Sequence, residues 1–522
     1  MTDPYSEIST TGWRKRELAD DSKPANATCK HGRAKIAYYS ISEVNIVRFK
    51  LGCFFLLPLA GLCQPPVETL NPEVAGIVAG VSEDRIAATM KKLESFGTRH
   101  ILSEQDNPTH GIGAARQWIF DELKSYSPRL QVSLDPFSVK KGPRVAHDVD
   151  LANVVAILPG TTDPDRYVII SAHYDSIASQ RGGPGAPPPD PDAPRNPLDI
   201  EPVAPGVVDD GSGVAAVLEM ARLMSGHEYR KSVVFIAFAA EEVGLNGSAA
   251  YATKAKERKL DIEAVLNNDI IGSDISGNGR SANSRLRVYS EGPDDSSSRA
   301  LARYTKEIAE RYVPSMTVDL VFRRDRFGRG GDHTSLNAAG FSAVRLTTSS
   351  ENYANQHTVN DTFANASVPY TARATRINAA VLTSLALAPR APVVSRPRTA
   401  GATPQTTPPT PRPPALGLTR GKSGYDAALR WEAPKSGPEP AGYVVLIRAT
   451  TSPFWEREIY VGNTTTYTLP DLSIDDVVIG VQAIGKDGAP SLVAAYDLPP
   501  ANFTGRPAAT TPAATPAPAT PE

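Results

Sequence analysis

Between about residues 72 and 390, short apolar runs alternate with stretches whose apolar residues recur at helical spacing. The runs are Asn153–Leu158, Tyr167–Ala172, Ser232–Phe238, Ala264–Asn268 and Ala343–Leu346. The helical stretches are Ser82–Phe96, with Ser82 as N-cap and Ile86, Met90 and Leu93 on one face, then Ala114–Tyr126, Val214–Met224, Gly247–Lys259 and Ser298–Glu310. A short apolar run without polar alternation is a strand covered on both faces. Such strands separated by helices predict an α/β fold, a mostly parallel mixed sheet with helices on both faces. In sheets of this kind ligands bind beyond the carboxyl ends of the strands.

Acidic and imidazole groups stand at those ends. His173-Tyr-Asp175 follows one run, Glu241-Glu242 another, and Asp269 a third. Asp209-Asp210-Gly-Ser-Gly213 immediately precedes a helical stretch, and His357 lies in Gln356-His-Thr-Val-Asn-Asp361-Thr. Taken singly, each has a plain structural explanation: a hydrogen-bonded histidine, a helix cap, a solvated glutamate pair. The glutamate pair fits its explanation poorly. It follows Phe235-Ile-Ala-Phe-Ala-Ala, which should be buried, and adjacent carboxylates there repel each other and lose hydration unless cations or hydrogen bonds compensate. Together, carboxylates and imidazoles without cysteine describe a divalent-metal site of zinc type. Two ions need a bridging carboxylate and two terminal ligands each, so five ligands and one further carboxylate as general base match the set.

The string His173-x-Asp175, Asp209-Asp210-Gly-Ser-Gly213, Glu241-Glu242, Asn268-Asp269, Asp332-His333 and His357-x-x-x-Asp361-Thr362 resembles metallopeptidase family 28. These are co-catalytic di-zinc aminopeptidases related to glutamate carboxypeptidase, with a zinc-exopeptidase fold, and the resemblance covers roughly residues 75–385. It implies two Zn2+ per chain. Asp209 would bridge them, His173 and Asp269 would complete one site, and Glu242 and His357 the other. Glu241 would be the general base. Asp175 would hold the imidazole of His173 in its ligating tautomer. Asp210 follows the bridging residue at a peptide bond that is typically cis in the family. Asp361 would sit behind His357 or cap a turn, and Asp332-His333 would be supporting rather than ligating. Many members carry a tyrosine near the last histidine, whose hydroxyl steadies the oxyanion. Here Gln356 precedes His357, so Tyr353 is the first candidate for that role, with Gln356, Arg326 and Arg329 as alternatives. The loop Asp325-Arg-Phe-Gly-Arg-Gly-Gly-Asp-His333 is a candidate substrate contact.

The flanks are organised differently. All three cysteines, Cys29, Cys53 and Cys63, lie in the first 63 residues, which excludes cysteine-based metal sites and cysteine-protease chemistry from the main body. A net charge of −2 gives no basic surplus for nucleic acid. Residues 47–64 read as a secretory signal: Arg48 and Lys50, an apolar stretch from Leu51, then Gln64-Pro-Pro. That stretch is short for a bilayer core of about 30 Å, so stable membrane insertion is not expected and the protein would be secreted or periplasmic. Residues 1–46 are irregular and longer than any signal n-region, which suggests translation from near Val47. Residues 176–205 are Pro-rich and read as a surface loop, 391–418 as a Pro-rich linker, and 500–522 as a disordered tail.

Residues 419–499 show short β runs with turns between them, which suggests a β-sandwich. Trp431, Tyr443-Val-Val-Leu-Ile, Tyr467-Thr-Leu469 and Val477-Val-Ile-Gly-Val-Gln-Ala resemble a fibronectin type III domain, with Tyr467 as its tyrosine corner.

The activity expected from the resemblance is a secreted aminopeptidase acting on peptides. A carboxypeptidase or dipeptidase is the alternative, with Arg323, Arg324, Arg326 and Arg329 available for a C-terminal carboxylate. A glutaminyl cyclase generally uses one zinc, and a non-catalytic relative would lose ligands, so a count of two metals separates the first pair of readings from the second. Oligomeric state cannot be read from the sequence.

Overall fold

The computed structural model describes residues 70–178, 203–395 and 416–496. The irregular segment 1–46, the signal at 47–64, most of the Pro-rich loop and the tail lie outside the described residues.

Three helices open the described chain: α1 (Pro72–Ala79), α2 (Glu83–Glu94) and α3 (Gly111–Tyr126). Their starts have a chemical cause. The Asn71 side chain accepts from the amides of Glu73 and Val74 ahead of Pro72, and the Ser82 hydroxyl accepts from Arg85. There follow β1 (Gln131–Val139), β2 (Val149–Leu158), β3 (Asp163–His173), α4 (Ser212–Met224), β4 (Lys231–Phe238), α5 (Asn246–Glu257), β5 (Asp261–Asn268), β6 (Arg285–Ser290), α6 (Ser297–Tyr312), β7 (Thr317–Val321), α7 (Asp332–Ala339), β8 (Ala343–Thr348) and α8 (Val368–Leu387).

The eight strands form one sheet in the order β1-β2-β4-β3-β5-β8-β6-β7. Its centre, β4-β3-β5-β8, is parallel, with Ser171 opposite Ile236 on one side and Asn267 on the other. β1, β2 and the β8–β6 pairing are antiparallel, and β7 returns parallel to β6. This is the expected mixed α/β sheet. Every residue of β4 is buried, because helices cover both faces. One core packs α2, α3, α4, α6 and α8 on one face, and a smaller core packs α5 and α7 on the other.

The C-terminal region has β9 (Gly417–Arg420), β10 (Ala427–Arg430), β11 (Gly442–Ala449), β12 (Arg457–Gly462), β13 (Thr466–Leu469), β14 (Val477–Ile484) and β15 (Ala494–Ala495). They form antiparallel sheets β13-β10-β9 and β12-β11-β14-β15 around one core. Trp431 is buried there, edge-on to Tyr443 at 5.5 Å between ring centroids. The Tyr467 side chain is half-buried, and no tyrosine-corner hydrogen bond of its hydroxyl exists among the described residues. Val393 also pairs with Glu432, and Val394 belongs to the same core.

Candidate metal centre

The three central parallel strands deliver their ligands at one edge. β3 ends in His173, beside Phe238 at the end of β4. After β4 the chain passes Ala240, at φ 61°, and presents Glu241 and Glu242. After β5 comes Asp269. Asp209 and Asp210, joined by a cis peptide bond, immediately precede α4. His357 reaches the same point from the loop after β8, with φ 56°.

Asp209 lies between the two imidazoles. Its Oδ1 is 3.2 Å from His173 Nε2 and its Oδ2 is 3.0 Å from His357 Nε2. Glu242 Oε2 is 3.1 Å from His357 Nε2, and Asp269 Oδ1 is 4.0 Å from His173 Nε2. The donors therefore form two groups that share one carboxylate: His173, Asp209 and Asp269, and Asp209, Glu242 and His357. A third group unites His173, Glu241 and Glu242.

The surrounding side chains hold the donors in place. Asp175 accepts from the amides of Glu241 and Glu242, at 3.1 and 3.2 Å, so it fixes the turn that carries both glutamates. Its carbonyl lies 3.2 Å from His173 Nδ1, which leaves Nε2 turned to the cluster. Asp210 ties three segments together, accepting from the amides of His173, Gly213 and Ile270. A Cβ at residue 213 would stand 2.4 Å from Asp210 Oδ2, so this close approach requires glycine. Asp361 is turned to the segment that carries Asp209. Its oxygens accept from the amides of Val208 and Asp209, at 2.9 and 3.0 Å, and so fix the backbone of Asp209.

Several contributors had no clear signal in the sequence. Arg99 is fully buried and donates to the carbonyls of Leu93, Tyr174, Pro205 and Gly206, clamping the segments before Asp175 and Asp209. Burial lowers its pKa to about 10 against the pull of Asp361, Asp175, Asp210 and Asp209. Arg345, fully buried on β8, lies 3.0 Å from Asp269 and 2.9 Å from Asp325. A charge in the otherwise apolar start of that strand was the one available sign of it. Gln356, by contrast, was among the candidates read from the sequence, and it donates to Asp209 Oδ2 at 2.8 Å.

Tyr353 stays outside the cluster. Its side chain is 64 % exposed and is not part of the cleft lining, so its placement gives no support to an oxyanion role. Asp332 and His333 open α7, fully buried. Burial lifts Asp332 to about 7, and His333 Nε2 donates to the Arg324 carbonyl at 2.8 Å.

The electrostatics favour cations. Burial opposes the charged form of His357, yet Glu242 and Asp209 overcome it and carry its pKa up to about 11. Burial raises Glu241 and Glu242 alike, and Asp269 and Asp209 respectively add to the effect. Glu242 Oε1 is buried without a hydrogen-bond partner among the described residues. Hard and borderline oxygen and nitrogen donors, an orphaned carboxylate oxygen and an excess of negative charge all fit divalent metal. The cleft above the cluster has a volume of about 240 Å³.

The profile of peptidase family M28 matches residues 153–382, which contain every residue of the cluster. A protein of Pyrenophora tritici-repentis named "Probable zinc metalloprotease" is 33% identical over 454 residues, covering 80% of this chain and 96% of its own. The chain belongs to peptidase family M28. A protein of the same name from Pyricularia oryzae is 34% identical, over 80% of this chain and 83% of its own. Among solved structures, the LapA aminopeptidase of Legionella pneumophila aligns with a TM-score of 0.45 at 20% identity, over 61% of this chain and 75% of its own. Membership of M28 makes the protein a peptidase, and so a hydrolase.

Proposed function

We propose that this M28 peptidase is a secreted di-zinc aminopeptidase that removes N-terminal residues from peptides. One observation carries the reading: the two oxygens of Asp209 face different imidazoles at 3.2 and 3.0 Å, each beside a further carboxylate. Asp209 would be shared between two zinc ions, with His173 and Asp269 on one side and Glu242 and His357 on the other. Relatives named as zinc metalloproteases support the choice of metal. Bound zinc supplies an acidified water and polarisation of the scissile carbonyl.

The chain's own groups do the rest. Glu241, in the cleft lining, takes the proton of the attacking water and passes it to the leaving amine. Burial and neighbouring acids raise its pKa, the direction a proton-carrying base requires. Asp175 and Asp210 keep the ligand-bearing turns fixed, so little reorganisation is needed when substrate binds. The free α-amine of the substrate would sit on the acidic floor formed with Glu241 and Asp269. Among the described residues no helix is long and apolar enough to cross a membrane. Secretion rests on the signal-like segment 47–64, and the C-terminal sheets are read as a fibronectin type III-like stabilising module.

Carboxypeptidase or dipeptidase activity is the second reading, and arginines in the cleft lining favour it. The test uses protein beginning at residue 65, metal analysis, and a peptide library of which half is N-acetylated. Two zinc ions per chain and loss of single residues from free N-termini only, abolished by chelator, are expected. One zinc per chain would favour a cyclase, and equal cleavage of acetylated peptides would favour the carboxypeptidase.

A further inference from the structure

The cleft over the metal centre opens into a second, larger depression of about 640 Å³, and Gly244 and Leu245 line both. This groove runs between α5 and α7. One wall is Leu245, Ala249, Ala252 and Lys256, whose spacing puts them on a single face of α5 and its first turn. The other wall is the α7 face of Thr334, Ser335, Ala338 and Ala339. The helices touch through the hydroxyls of Ser248 and Ser335, at 3.1 Å. Small side chains on both walls make the groove, and its apolar floor reaches Ala252 of the smaller core.

The passage from cleft to groove is kept by glycine. Gly244 has φ 122°, which L side chains rarely adopt. Gly330 lines the cleft, and a Cβ on it would stand 3.7 Å from Leu245 Cδ1 and 3.6 Å from Thr334 Oγ1, filling the space between the two walls. The groove is also long. From Leu245 to Lys256 the helix rises about 16 Å at 1.5 Å per residue. No single side chain spans that length, whereas about five residues of extended peptide do, at 3.3 Å each. An aminopeptidase keeps one residue on the amino side of the scissile bond. A groove of this length leaving the cleft therefore suits only the chain beyond that bond.

We propose that the groove between α5 and α7 binds the extended, apolar segment of substrate that follows the scissile bond, so that peptides of about six residues are favoured over dipeptides. The proposal rests on the aminopeptidase reading and adds substrate length and side-chain class to it.

The test measures initial kcat/KM of the zinc-loaded protein on Leu-amide and on Leu-Ala-Val-Ala-Val-Ala-amide built up one residue at a time. Burial of apolar side chains predicts a rise of about tenfold or more, levelling off near six residues, expressed in KM and insensitive to salt. Serine in place of the valines should remove most of the rise. Ala249→Trp and Ala338→Trp, at exposed positions, and Gly330→Val, across the passage, should each cut the ratio of long to short severalfold. Rates within twofold across the series overturn the proposal. A flat series with a different solution mass for Ala249→Trp overturns it too, and assigns the groove to a second copy of the chain. Hydrolysis of no substrate, Leu-amide included, sinks the aminopeptidase reading instead. A trapping experiment then decides separately. The chain from residue 65 has no cysteine, so Lys256→Cys places a unique thiol at the far end of the groove. Hexapeptides with a reduced first bond carry a pyridyl disulfide on their second or their sixth residue. Capture through the sixth alone keeps the groove, and equal capture through both, or none, removes it.

Discussion

The two ends of the central sheet both bury charge, in opposite ways. At the amino ends of β4 and β5, Lys231 lies 2.5 Å from Glu263 and Arg166 lies 3.1 Å from the same carboxylate. Arg166 also meets Asp261 at 2.8 Å, and Arg390 bridges Asp163 and Asp261. Three cations face three anions, and each has an opposite partner. At the carboxyl ends, Asp175, Asp209, Asp210, Glu241, Glu242 and Asp269 gather around two imidazoles, with Arg345 as their direct guanidinium partner. The first network neutralises itself and serves the fold. The second is left anionic by the chain alone, and desolvation makes such an excess unfavourable for stability. A buried imbalance of this kind marks the end of the sheet that binds something positive.

The sharpest way to break this contrast is Glu241→Gln. General-base loss lowers kcat by roughly 10³-fold. Zinc content should stay the same, and the melting temperature of the chelated protein should hold or rise, since one buried acid is gone. Steady-state kinetics, metal analysis and calorimetry read the three quantities. A kcat within tenfold of the parent would remove Glu241 from the mechanism.

The opposite pattern is expected at the other end. Lys231→Met leaves Glu263 facing Arg166 alone, in a fully buried position. Breaking a buried pair costs about 3–5 kcal/mol. Denaturant unfolding should show this loss while the kcat/KM of the folded fraction stays within about twofold. A catalytic loss matching the Glu241 variant would show that the two ends are coupled, and the division drawn above would fail.

This division was partly legible in the sequence. The central strands announced themselves because burial on both faces leaves an unbroken apolar run, and three of the five candidate ligands, His173, Glu242 and Asp269, stood at or just after the ends of those runs. The edges did not. β1 carries Pro136 and alternates exposed with half-buried residues, and β6 and β7 span only Arg285–Ser290 and Thr317–Val321. α8 escaped for the opposite reason: it is buried on nearly every side, so its Ala and Thr residues show no amphipathic period. Arg99 was invisible because it acts on backbone carbonyls, which no side-chain motif records. Tyr353 was selected by its spacing from His357, and spacing within a loop does not determine which way a side chain faces.

The smallest expected effect concerns acid. Burial raises Glu263, but Lys231 and Arg166 more than offset it and hold its carboxyl below the usual glutamate value. The unfolded chain therefore takes up this proton first as pH falls. The stabilisation is complete above the unfolded value of about 4.3 and is lost as pH drops through the lowered folded value. Glu263→Gln should flatten that part of the stability-versus-pH curve while lowering stability near pH 7. The zinc centre disturbs the same pH range through its own ligands, so the comparison belongs in chelated protein, parent against variant. Parallel acid limbs in the two would mean that Glu263 does not titrate with folding, and that the balanced end of the sheet is held by packing rather than by its charges.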